Sequence, residues 1–327
     1  MTADELVSII IPTYYRNQYL RACLRSVSEQ EYRPIQVIVV DDSGEAHARE
    51  VVDEFSAVEY IPLDRNVGAQ AARNRGFRNA TGAYVQFLDD DDRLKRDKIS
   101  KQVAILREKS DVGVVTCGIE YESGWVETPP ESVRGKPLAE ALSFIDIWRH
   151  STLLMRYSTL LEIMPLDEPL EGAGDAKLGI ELAQHAQHDF VDEPLVLAGE
   201  PDRRLGASWE ALHALRAMMV EYEGLYDQVD PKARRRARAD INCLEGRLTL
   251  EQSAWSPTAI LAFAKAAYHA SGYQKLIYSA ESIASLFGRP GHRAGSDILR
   301  RIRLLKRRIS TVGSKMNDYT HERDGNL

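Results

Sequence analysis

Four consecutive aspartates, Asp89 to Asp92, follow directly on the apolar run Ala83 to Leu88. A run of that length and composition makes a buried strand, so the carboxylates stand at a strand end. Packed together they repel one another, and a cation relieves that repulsion. A hard divalent cation carrying a polyphosphate fits best, because it takes oxygen ligands and keeps coordination positions open for the phosphates. The same residues would also serve as a solvated acidic loop ahead of a helix, since Asp is favourable near a helix N-terminus.

The elements that must position this cluster alternate. Leu6 to Ile11 reads as a first strand, apolar on both faces and therefore buried on both. Asn17 to about Glu29 reads as a helix with Leu20, Leu24 and Val27 on one face. Ile35 to Val40 is a second strand ending in Asp41-Asp42-Ser43-Gly44, Ala46 to Phe55 a helix, and Val58 to Leu63 a third strand. A helix ending near Ala80 bears Arg73, Asn74 and Arg75, and the strand ahead of the aspartates follows it. This alternation predicts a parallel sheet covered by helices on both faces. Ligands of such sheets bind beyond the C-terminal strand ends. Thr13, Tyr14, Asp42, Arg73 and Asp89 to Asp92 all fall there.

Further along, the spacing predicts a helix over 95–108, a strand over Val112 to Cys117, a hairpin within 119–137 and a strand over Ser151 to Met155. A helix over Tyr157 to Met164 comes next. The segment MPLDEPLEGAG opens into Asp175 at the start of a helix to about Ala186, and Phe190 to Leu197 form short strands around Pro194. From Trp209 onward the pattern is helical, with Asp230-Pro231 and Ser256-Pro257 as cap and first-turn proline. The domain boundary is placed near Gly206, giving domains 1–205 and 206–327.

The composition, 44% hydrophobic and 28% charged, is that of an ordinary globular protein. A net charge of −7 argues against nucleic-acid binding. Cys23, Cys117 and Cys243 match no zinc or redox spacing and read as reduced, buried thiols. The opening MTADELVSIII lacks the basic region of a signal peptide, and the best apolar stretch, TAILAFAKAAYHA, is too short to span a membrane. The expected location is cytoplasmic.

Two functional classes share an N-terminal sheet of this kind and do not fit. A dinucleotide-binding fold needs G-x-G-x-x-G after its first strand, where this chain has PTYYRN. A receiver domain needs an acceptor Asp ending the next strand, for which Asp64 is poorly placed. The stretches VSIIIPTYYRNQYLRACLRSVSEQEYRPIQVIVVDDSG and NVGAQAARNRGFRNATGAYVQFLDDDD closely resemble family 2 glycosyltransferases, densely over 6–110 and more thinly to about 200. The resemblance implies a GT-A fold, a Rossmann-like α/β, mostly parallel sheet, followed here by a helical C-terminal region.

It also implies roles. Pro12, Thr13 and Tyr14 would line the base pocket, with Arg16 beside them at the nucleotide sugar. Asp42 would accept the imide N–H of uracil. Arg73 would reach the nucleotide or its phosphates. Asp89 and Asp91 match D-x-D, the first assigned to the ribose and the second to Mg2+ or Mn2+ on the diphosphate. The run of four leaves the register open by one residue, so Asp90 joins the donor-binding set and Asp89 the metal set. Asp175 would be the base of an inverting transfer, with Asp167-Glu168 as the rival. The commonest pattern has Glu-Asp at this point and an arginine further along the helix, whereas this chain has Gly174-Asp175 and Glu181. A histidine that some members carry after the last short strand is replaced by Arg203 and Arg204.

The expectation is therefore a metal-dependent, inverting transferase that uses a UDP-linked sugar and a hydroxyl of a glycan, glycolipid or lipid-linked saccharide. The alternatives are a nucleotide-sugar-binding protein without catalysis and a scaffold whose helical part recruits a partner. In SDILRRIRLLKRRIS, Ile298, Ile302, Leu305 and Ile309 share one helical face and arginines fill much of the rest. Segment 296–310 is thus a candidate for peripheral contact with the inner face of an anionic membrane, and packing on the preceding helices is the other reading.

Overall fold

In the computed structural model the described residues are 5–144, 148–166, 172–199, 208–292 and 294. The chain divides into two compact units, Met1–Arg234 and Arg235–Leu327. The boundary expected near Gly206, the arginines Arg203 and Arg204, the rival base Asp167-Glu168 and segment 296–310 lie outside the described residues.

The first unit begins β1 (Val7–Thr13), α1 (Asn17–Ser28), β2 (Ile35–Asp41), α2 (Arg49–Val52), β3 (Val58–Pro62), α3 (Ala69–Phe77) and β4 (Tyr84–Phe87). β1 pairs in parallel with β2 and β4, and β2 with β3. Every residue of VSIIIPT in β1 is buried, as a strand covered on both faces requires. Gly76 lets α3 lie close on the sheet: a β-carbon there would stand 2.3 Å from Ile10 Cγ2.

α2 is shorter than the expected helix over 46–55. Asp41 accepts the main-chain N–H groups of Ser43 and Ala48, and Ser43 Oγ those of Glu45 and His47. These bonds hold the chain in turns, and Ala46 adopts a φ of +57°, which no α-helix admits.

Beyond β4 come β5 (Arg93–Leu94), α4 (Lys98–Glu108), β6 (Val112–Tyr121), β7 (Val126–Glu127), α5 (Leu138–Leu142), β8 (Leu154–Arg156), α6 (Tyr157–Ile163), α7 (Gly174–His185) and β9 (Gln187–Ala198). The sheet has nine strands among the described residues, in the order β3-β2-β1-β4-β8-β6-β9-β5, with β7 on β6. The early half is parallel. In the later half β8 runs antiparallel to β4 and β6, β5 runs antiparallel to β9, and β6 and β9 are parallel. The strands expected around Pro194 form one strand, β9, whose register against β6 shifts at Gly118, opposite Pro194. α8 (Trp209–Glu221) and α9 (Glu223–Tyr226) complete the unit. Ser208 caps α8 by accepting the N–H of Ala211.

α10 (Pro231–Gln252) leads into the second unit, which also holds α11 (Pro257–His269) and α12 (Gly272–Ser285). Ser256 caps α11 ahead of Pro257, as the sequence predicts. The core of this unit gathers Ala239, Cys243, Leu250, Phe263, Ala266 and Ile277. All three cysteines are free and buried.

Candidate active site

The C-terminal ends of β1, β2 and β4 bring the expected residues to one rim, but they do not all face the same way. After β4 the four aspartates turn. Asp90 points into the protein, where it accepts Thr13 Oγ1–H at 2.7 Å and an Arg16 guanidinium N–H at 3.3 Å. Burial pushes its carboxyl up to about 6, against the pull of Thr13 and Arg16. Asp91 faces outward, half exposed, and pairs with Arg16 at 2.8 Å. Its pKa is raised, first by burial and then by the charge of Asp89. Asp92 is pushed well above the ordinary range by burial and again by Asp89.

Asp89 pairs with Arg73 of α3 at 2.6 Å. Its main-chain N–H donates to Ser151 Oγ at 3.1 Å. The Arg73 Nε–H is buried and has no hydrogen-bond partner among the described residues. Arg73 also helps to depress the pKa of Asp175, so α3 joins two carboxylates that are remote in sequence.

Asp42 is buried, and its two oxygens accept the N–H groups of Val67 and Gly68 at 2.7 and 2.9 Å. Gly68, with φ +91°, gives that loop the backbone it needs before α3. Asp42 thus sets the entry to the helix that carries Arg73, and any base would meet only its remaining lone pairs. Pro12 is buried within β1, whereas Tyr14 is half exposed at the rim, with its ring edge-on to Tyr15 at 4.8 Å between centroids.

Asp175 starts α7, and 47% of its side chain is open to solvent. Its Oδ1 accepts the main-chain N–H of His150 at 3.0 Å and contacts His150 Nδ1. Partial burial works against the charged form. The His150 imidazole, the Arg73 guanidinium and the His150 N–H outweigh it and hold the carboxyl down to about 2. Sequence reasoning passed over His150 and Ser151, which sit in a 3-10 turn just before β8. A lone histidine leading into an apolar strand carries no periodic or motif signal of its role.

Asp89 and Asp91 suit a hard cation as a pair of partly exposed oxygen donors, paired among the described residues with Arg73 and Arg16. Among the described residues no group of three or more His, Cys, Asp or Glu forms a closed cage. A site that takes one or two carboxylates and completes its shell with phosphate oxygens and water needs no such cage.

The fold and this rim define a GT-A type of domain. Residues 8–160, just under half of the chain, match the family model Glycosyl transferase family 2. GlyA of Streptococcus pneumoniae serotype 4 is 37% identical over 102 residues, 30% of this chain and 15% of that protein. The chain spans less than half the length of the curated relatives it first matches, 15%, 43% and 38%. Among solved structures, S. aureus TarS 1-349 in complex with UDP-GlcNAc has a TM-score of 0.55 and 16% identity, covering 90% of this chain and 91% of that one. The mannosyltransferase PcManGT from Pyrobaculum calidifontis, in complex with GDP-Man and Mn2+, has a TM-score of 0.57 and 18% identity, covering 89% and 83%. These two share the fold.

Proposed function

We propose that this chain transfers a sugar, with inversion, from a UDP-linked donor to a hydroxyl of a glycan, glycolipid or lipid-linked saccharide. The observation that supports the reading is Arg73, which pairs with Asp89 and lies close enough to lower the pKa of Asp175, so the carboxylates proposed for the diphosphate and for the base share one cation. Asp89 and Asp91 would hold Mg2+ or Mn2+. The bound cation would supply neutralising charge to the departing diphosphate.

The protein's own groups do the rest. Tyr14 offers a ring face to the base, with Pro12 and Thr13 behind it and Asp42 toward the imide. Arg73, with one N–H spent on Asp89, donates another guanidinium N–H to phosphate oxygen. Arg16, tied to Asp90 and Asp91, stands beside the same phosphates and keeps the aspartate loop in place. Asp175 takes the proton of the attacking hydroxyl. A carboxylate held near pKa 2 is ionised at neutral pH, the form a base requires. It is a weak base. The hydroxyl becomes strongly acidic only as its bond to the anomeric carbon forms, so the transfer runs late in the step. The complexes of TarS with UDP-GlcNAc and of PcManGT with GDP-Man and Mn2+ support a nucleotide-sugar donor and a metal.

The test is a panel of UDP-, GDP- and dTDP-sugars with Mn2+, read by thermal shift and by sugar transfer. A ligand at 100 times its Kd stabilises by about 2.7 kcal/mol. Stabilisation by UDP-sugars that vanishes in excess chelator is the expected result. A shift confined to GDP- or dTDP-sugars would overturn the choice of base, and indifference to chelator would overturn the metal.

A further inference from the structure

The turn His150–Thr152 stands between Asp89 and Asp175 and bonds to both. Beneath it lies a buried polar network. Gln86 of β4 donates to the carbonyls of His150 and Ser151 at 3.1 Å each, and Gln102 of α4 donates to that of Thr152 at 2.8 Å. The two glutamine oxygens accept from the ammonium of the fully buried Lys98. Main-chain carbonyls held this way from below leave the turn little freedom to shift. Its outward groups then reach both sides. Ser151 Oγ accepts the N–H of Asp89, and His150 meets Asp175.

His150 makes its contact twice on one atom. Its main-chain N–H donates to Asp175 Oδ1, and the Nδ1 contact on the same oxygen requires the proton to sit on Nδ1. Oδ2 has no hydrogen-bond donor among the described residues, on a side chain about half open to the cleft. The imidazole is buried, with its edge toward the Phe87 ring at 5.9 Å between centroids, so it cannot turn away.

We propose that His150 is a positioning residue for Asp175, locking Oδ1 so that Oδ2 alone is presented to the acceptor hydroxyl. The inference rests on Asp175 as the base and adds the group that aims it. The aim matters because a misplacement of about 1 Å in a reacting group costs on the order of 100-fold in rate. His150 contacts Asp175, Gln86 and Phe87 and none of the residues proposed to bind the donor, so its loss changes turnover and spares donor binding.

The experiment compares His150→Leu, which fills the space without a donor, with His150→Asn, whose amide N–H falls near the place of Nδ1–H. His150→Leu is expected to lower kcat by roughly 10- to 100-fold with donor KM within about twofold of wild type, and His150→Asn to recover most of the loss. If the leucine variant does not fold, His150→Ala, which cannot clash, takes its place. Wild-type kcat in the variant without a donor overturns the inference. So does an equal loss in that variant and in His150→Asn, which is what a purely packing role gives. Asp175→Asn is run beside them. If it keeps its turnover, the base assignment fails; if it is dead while His150→Leu is unimpaired, only the positioning role fails.

Discussion

Asp90 and Asp91 are neighbours in one turn and face opposite ways, and that geometry gives them opposite tests. Asp90 is buried with its carboxyl raised from 3.8 to about 6, chiefly by desolvation. The folded state therefore holds this proton more tightly than the unfolded chain, and the ionised group destabilises the fold above pH 6. Asp90→Asn keeps an acceptor for Thr13 and removes the charge. At about 1.4 kcal/mol per pH unit, the variant should gain up to about 3 kcal/mol at pH 7 relative to wild type, with the gain fading to nothing as pH falls from 6 to below 4. Melting curves of both proteins across that window check it. Asp91→Ala should instead leave the fold intact, since it relieves repulsion, while abolishing turnover and metal-dependent donor binding. Activity of the variant equal to wild type in a transfer assay would remove Asp91 from the metal site. Asp175→Asn cannot accept a proton at neutral pH and should lose roughly 10²- to 10⁴-fold in turnover with nucleotide binding unchanged, as kinetics and thermal shift together would show. The carboxylates themselves were legible in the sequence, because a run of aspartates at a strand end is rare chemistry. Which of them turned inward was not, since a single turn reverses the direction of adjacent side chains.

α3 is the element through which packing reaches the site, because Arg73 rides on it and Gly76 seats it. Adding a methyl at Gly76 drives its β-carbon to 2.3 Å from Ile10 Cγ2 and 3.2 Å from Val40 Cγ2 on the strands beneath. Neither branched side chain has a free rotamer to yield into, as both are fully buried. Gly76→Ala should therefore cost about 1–3 kcal/mol and lift α3 enough to weaken the Arg73–Asp89 pair. Calorimetry should show the first effect and a raised donor KM the second; a lowered melting point with unchanged KM would mean that α3 tilts about Arg73 without moving it. β1 and β2 were legible from their long apolar runs, and β4 from a shorter one set between Gly82 and the aspartates. The antiparallel placement of β8 and the pairing of β5 with β9 were not, since strands of three and two residues carry no period. α2 was overestimated because its helical pattern was real but its first turn lost the competition with Asp41 and Ser43 for main-chain N–H groups.

Across the whole molecule, charge and apolar surface are unevenly spread. Seven Lys or Arg fall within 291–310 on a chain of net charge −7, and Ile298, Ile302, Leu305 and Ile309 recur there at helical spacing. In the second unit, Leu276 and Ile283 of α12 and Phe287 just beyond it are largely exposed and follow each other at intervals of seven and four, one side of a helix. Among the described residues no helix is long and apolar enough to cross a membrane. Apolar stripes of this kind beside a basic segment suit the interface of an anionic bilayer, where each cation near the surface contributes about 1 kcal/mol and the attraction decays over about a Debye length. The protein should float with vesicles containing anionic phosphatidylserine or phosphatidylglycerol at low salt and stay behind at high salt. Truncation at Gly295 should abolish flotation and leave transfer to a soluble acceptor intact, because no residue of the carboxylate rim lies beyond that point. Flotation that survives the truncation but is lost on Phe287→Ser and Ile283→Ser would move the contact to α12. Full recovery of the intact protein in the soluble fraction would leave segment 296–310 as a packing element.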